Sequence, residues 1–305
     1  MALEPSSFEV KQPSAVLAAA VKRAVELVSF MVQAIDQARV DELRLPGNVV
    51  QFGEPRDAPA EIAEARVAAR EWVIGAGLQL CVDAIDETLE WARVQAALWG
   101  LPGRVHRLDD GRLHLEATTT GATWLQEFGP AGVGYRWETM GLKDKIAKLK
   151  AVYDLAPPEL TGDILTLNAA RNCLVHRRGI VGPRDLTAAG DTAIVVRWRR
   201  FGLTVEDGAG SRPIGIGDVV EEGGVVRIAF EPMERAFAVG ERMIFDVEDF
   251  AAMAHTFAIY GSQLVGSINA MQERRFAAEA STARRDANLP EINQGVAGPW
   301  SAPRT

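Results

Sequence analysis

The run Arg171-Asn172-Cys173-Leu174-Val175-His176-Arg177-Arg178-Gly179-Ile180-Val181 carries the densest set of side chains able to do chemistry. Asn168, Asn172 and His176 are spaced by four, so on a helix they line one face, and Arg171 borders it. An imidazole titrates near neutral pH and can take or give a proton. A guanidinium offers a planar fork of donors that fits a phosphate. Together they suit cleavage of an RNA phosphodiester, in which a ribose 2′-hydroxyl loses its proton and the phosphorane needs positive neighbours. Such a wall of Asn, Arg, Asn and His is more polar than packing needs. The bland reading of the same residues is an interface or a network at a helix end.

This run resembles the HEPN superfamily, whose signature is an Arg followed roughly four to six residues later by a His, often with a polar residue directly after the Arg. The matching residues are Arg171, Asn172 and His176, and the trailing Arg-Gly-Ile-Val resembles the helix exit seen in many such proteins. The resemblance is local, with weaker support from the helices near Gly141 and Asp249. It implies a helical bundle that forms a homodimer and a ribonuclease that needs no metal or other cofactor. Arg171 would contact the scissile phosphate, His176 would move protons and Asn172 would orient one of them, with both protomers contributing to one site. By the same analogy the chain is a toxin or phage-defence effector, with RNA as substrate and an antitoxin or other protein as partner. Two features depart from a minimal bundle. A β-rich segment separates the motif helix from the last helix, and the N-terminal third carries no further motif. The alternatives are a non-catalytic scaffold of the same fold that binds protein or RNA, and a nucleotide-binding module.

A basic cluster follows the motif. Between residues 171 and 200 stand seven Arg against Asp185 and Asp191, a surplus of five positive charges in a chain whose net charge is −8. Arg177, Arg178, Arg197, Trp198, Arg199 and Arg200 read as an RNA-binding platform, because Arg beside aromatic residues suits single strands. The competing reading is a strand whose Arg side chains pair with acidic neighbours. Asp83, Asp86, Glu87 and Glu90 fall on one helical stripe and read as a solvated face. His106 and His114 face each other if Asp109-Asp110-Gly111 is a hairpin turn, a poor zinc site with two ligands. His255 reads as packed, and Cys173 as a buried structural thiol. No Gly-rich stretch has the spacing of a phosphate loop or a dinucleotide fingerprint.

These residues need a scaffold. The 305 residues are 48% hydrophobic and 24% charged, the balance of a soluble domain with a sizeable core. Two cysteines cannot make a disulfide framework, and neither a leader nor a membrane span is expected, so the chain reads as cytoplasmic. Apolar periodicity predicts helices over residues 14–40, 60–98, 141–153, 161–178 and 249–276, with Ser14 as an N-cap and a break at Gly75-Ala76-Gly77. A hairpin is expected over 104–116, loops over 45–59 and 118–135, and short strands at 194–196, 225–228 and 243–245. The fold class is mainly α, a HEPN-like helical bundle with β-hairpin and β-rich insertions. It spans 14–278, with insertions at about 103–137 and 183–246, before a disordered tail over 279–305.

Overall fold

The computed structural model describes residues 7–8, 12–37, 59–99, 105–107, 113–115, 137–186, 191–207, 210–214, 218 and 224–287. In chain order they form β1 (Ser7–Phe8), α1 (Pro13–Gln37), α2 (Pro59–Trp99), β2 (Val105–Arg107), β3 (Leu113–Leu115), α3 (Leu142–Tyr153) and α4 (Thr161–Arg177). A 3-10 turn (Pro183–Asp185), β4 (Ala193–Asp207), β5 (Gly210–Ile214), β6 (Val225–Ala238) and α5 (Val247–Ala287) complete them. The architecture is mainly helical, with two three-stranded antiparallel sheets. No described helix is long and apolar enough to cross a membrane.

In α1, Leu17, Val21, Ala24, Val28 and Val32 are buried. Their steps of three and four make the stripe that the sequence predicts, and Met31 and Ile35 pack at its rim. Ser14 is not the cap. Pro13 opens the helix, where its missing N–H leaves nothing unpaired, and the Gln12 carbonyl accepts from the Ala15 and Val16 N–H groups at 3.0 and 3.1 Å.

The predicted break in α2 does not occur, and the helix runs unbroken for 41 residues. Its glycines serve contact instead. A Cβ on Gly77 would collide with Val28 Cγ2 of α1 and stand 2.8 Å from Phe250 Cζ of α5. On α5, a Cβ at Gly261 would stand 3.0 Å from Leu17 Cδ2. Helices α1, α2 and α5 therefore pack pairwise at close range. One apolar core joins Leu78, Ile85 and Leu89 of α2 to Ile164 and Leu167 of α4, Val196 and Trp198 of β4, and Phe257 and Tyr260 of α5.

The larger sheet has the order β5-β4-β6, with β4 and β6 in register from Ala193↔Ala238 to Glu206↔Val225. Beside the first half of β4 no strand among the described residues lies on the outer edge; side-chain hydroxyls stand there instead. The Arg197 N–H donates to Thr166 Oγ1 of α4 at 2.9 Å, and the Arg199 N–H to Thr256 Oγ1 of α5 at 2.7 Å. Two edge N–H groups, one exposed and one part-buried, are thereby paired.

The small sheet has the order β1-β3-β2 and sets His106 opposite His114, as the sequence predicts. Strand β1 was not expected. The Asp109-Asp110-Gly111 turn, residues 45–58 and residues 118–135 lie outside the described residues. Met243-Ile244-Phe245 is not a strand; it is an irregular connection that buries Met243 and Phe245 beneath the sheet. Helix α5 continues to Ala287, past the predicted start of the tail, because residues 279–287 contain no Gly or Pro to end it.

Gly77→Ala lowers the unfolding free energy by about 2 kcal/mol, the typical cost of overpacking a close contact. Gly266→Ala, at a helical site with nothing within 4 Å, is the matched control and stabilises by about 0.5 kcal/mol. Chemical denaturation of the two variants measures both values. Equal effects would show that Gly77 does not set the helix spacing.

Candidate functional site

The motif occupies the last turns of α4 and the exit behind it. The helix closes through the Gly179 N–H, which donates to the Cys173 carbonyl at 3.2 Å, with Arg178 left-handed at φ 55°. A non-glycine residue there stores about 1 kcal/mol of strain. The exit is clipped to the segment that precedes α5. The Met243 N–H donates to Gly179 O at 2.7 Å, the Val181 N–H to Glu241 O at 2.9 Å and the Gly240 N–H to Val181 O at 2.8 Å. The β-rich excursion thus leaves and returns at the same place, and both of its ends are anchored beside the motif.

The polar wall exists. His176 is exposed at the end of α4, and Asn172, one turn before it, is half-buried, as is Asn168. Arg171 lies at the other border of this strip, with its side chain 18% exposed. Its fork is already engaged: one Nη donates to Asn172 Oδ1 at 3.0 Å and the other to Asp83 Oδ1 of α2 at 3.2 Å. Its buried Nε–H has no partner among the described residues. The arrangement therefore offers a solvent-facing imidazole and an amide fixed by a guanidinium, which is itself held by a half-exposed carboxylate.

The basic cluster is largely neutralised by the protein's own carboxylates. Arg177 pairs with buried Asp185, whose other oxygen accepts the Gly182 N–H at 2.8 Å. Arg199 Nε reaches Asp163 Oδ2 at 2.9 Å and Arg200 reaches Glu231 Oε2 at 2.9 Å, while Arg197 stands 3.8 Å from Glu234. Glu231 and Glu234 are the β6 register partners of Arg200 and Arg197, so the cross-strand ladder supplies the pairing. Among the seven Arg only Arg178 and Arg184 carry no ion pair among the described residues, and both are exposed.

Trp198 is corrected from an RNA-stacking position to a core position. It is 2% exposed and meets Phe245 edge to face at 5.9 Å, because Ile194, Val196 and Trp198 all point inward by strand alternation. His255 is also corrected: it is exposed on α5, with its ring 6.0 Å from that of Phe201.

The carboxylate stripe of α2 is not simply solvated. Asp83 holds Arg171, Glu90 pairs with Arg93 on its own helix, and Asp86 takes the Lys145 ammonium at 2.6 Å through both oxygens. Lys145 of α3 is buried and stacks over Trp137, whose ring centroid lies 5.5 Å away. No cluster of three or more potential metal-ligating side chains occurs among the described residues.

Both thiols are buried. Burial pushes the Cys81 thiol up from 9.0 to about 12 and raises Cys173 as well, with Arg177 pulling Cys173 partly back. Neither is primed as a nucleophile.

Sequence reasoning missed what surrounds the helix exit. Between α2, α4 and the Arg242–Met243 connection lies a cavity of about 370 Å³, lined in part by Trp72, Gln79, Arg178 and Arg242. Trp72 was hidden in a helical run whose polar face carries no motif.

The chain matches no protein-family model, no curated protein and no solved structure.

The raised Cys81 value gives a pH prediction. Between pH 9.0 and about 12 the folded chain keeps a proton that the unfolded chain releases, so stability falls as pH rises through that window. The slope is about 1 kcal/mol per pH unit from this group. Urea unfolding across the window shows a shallower fall in Cys81→Ala than in the parent. Identical slopes would place the thiol in water.

Proposed function

We propose that this chain is a HEPN-like ribonuclease acting as a homodimer in the cytoplasm, with two copies of the α4 end facing one cleft. The observation that carries the reading is the solvent-facing His176 imidazole, one helical turn from an Asn172 that Arg171 holds in place. In the reaction, His176 removes the proton of a ribose 2′-hydroxyl. That oxygen attacks the adjacent phosphorus, the bond to the 5′-oxygen breaks, and the leaving oxygen gains a proton from the partner's imidazole. A 2′,3′-cyclic phosphate remains. Arg171 stabilises the charge on the phosphorane through the Nη that Asp83, itself 55% exposed, holds in the free protein and gives up to the phosphate. Growth inhibition or phage defence, restrained by an antitoxin, is the biological role that fits such chemistry.

A second reading is a non-catalytic scaffold of the same fold. The pairing of Arg171 with Asp83, and of four further Arg with nearby carboxylates, favours it, since these charges then serve the fold.

Incubation of the purified chain with mixed RNA separates the two. His176→Ala and Arg171→Ala each reduce cleavage by at least about a hundredfold, the usual weight of acid–base and charge stabilisation, and EDTA leaves it intact. Asp83→Ala frees the guanidinium and retains cleavage. RNA turnover that survives both the His176 and Arg171 substitutions removes the proposal. Absence of turnover, with expression that is harmless to growth, leaves the scaffold.

A further inference from the structure

The α4 stripe that begins at Arg171 continues through Leu174, Val175 and Arg178, and these last three line the 370 Å³ cavity against α2. We infer that this cavity is a binding site for a nucleotide unit. The base stacks on Trp72, its edge meets Gln79 and its phosphate meets Arg178.

Three observations converge on that ligand. Trp72 stands 70% exposed in the interior of α2, a large apolar ring in water at the rim of a concave surface. A ring in that position gains most by stacking against another ring, and bases stack on Trp whatever their sequence. Gln79 is half-buried in the same wall, and its amide makes no hydrogen bond among the described residues. An amide with a donor and an acceptor to spare matches the mixed edge of a base better than a plain aromatic acid. Arg178 is exposed and meets no carboxylate among the described residues, whereas Arg242 is matched by Glu71 at 2.6 Å. The cavity therefore carries one uncompensated positive charge, placed where a phosphate would sit.

The floor is shaped for close approach. Gly75 and Ala76 keep α2 low there, and at Gly179, with φ +76° and Met243 O 3.3 Å from where a Cβ would stand, a larger residue is strained. The volume lies at the lower end of the range of about 300–1,000 Å³ found for small-molecule sites. None of this requires RNA cleavage, and the site shares no residue with the Arg171–His176 pair.

Isothermal titration of the full chain with AMP tests the site. AMP binds saturably, and adenosine, which lacks the phosphate, binds about tenfold more weakly or worse. Trp72→Ala and Arg178→Asn each weaken AMP by about tenfold; Asn is chosen because it tolerates the left-handed backbone. Phe30→Ala, at an exposed ring on α1, leaves binding unchanged, and circular dichroism melts verify that all three variants fold. A 2′-O-methyl oligoribonucleotide identifies the source of the unit: displacement of AMP assigns the cavity to a residue of a strand, and no displacement assigns it to a free nucleotide. No saturable binding of AMP, GMP, CMP or UMP at millimolar concentration overturns the proposal. So does AMP binding that is indifferent to Trp72→Ala. RNA cleavage measured on the same variants reports separately on the nuclease reading.

Discussion

Three backbone hydrogen bonds between residues 179–181 and 240–243 hold the region of interest together. They fix the exit of α4, so that His176 and Arg178 project from a defined end. They also bring Met243 and Arg242 against the same helix, which completes the cavity wall, and they set the direction in which the chain enters α5. Of the two positive-φ glycines in this clip, Gly179 is the more constrained, since a Cβ there would stand 3.3 Å from the Met243 carbonyl oxygen. Loss of the clip would free the base of the β-rich excursion and the end of the motif helix at once.

Charge is the second organising theme. A local surplus of Arg in sequence reads as a platform for an anion. In three dimensions most of it is met by carboxylates from outside the run, Asp83 and Asp163 from the helices and Glu231 and Glu234 from the paired strand. The exposed pairs at Glu231 and Glu234 add little stability, but with the more buried pairs at Asp83 and Asp163 they cancel the field that would draw in a polyanion. What is left is local: Arg178 and Arg184, not a basic face.

Much of the helical frame was legible in the sequence because each helix buries one face, and burial writes its period into the residue pattern. Leu17, Val21, Ala24 and Val28 show this directly. The glycines of α2 misled because a tight helix crossing and a helix break use the same residue. Trp198 misled for a different reason. Its Arg neighbours suggested a surface, yet the alternation of Ile194, Val196 and Trp198 already indicated the inward side of a strand. The polar wall at Asn172 and His176 was readable from spacing alone. The partner of Arg171 was not, since Asp83 is 88 positions away and only the packing of α2 on α4 joins them. The Trp72 cavity has no sequence signature for the same reason: its walls come from three distant segments.

The hydroxyls of Thr166 and Thr256 close one side of β4 in place of another strand. A hairpin bounded in that way cannot complete its hydrogen bonding until the two helices that carry those threonines are in position. The last hydrogen bonds of β4 and the docking of the two helices are therefore completed together. Before that docking the same two N–H groups are vacant, so the undocked edge of β4 is where wrongful pairing with another chain would start.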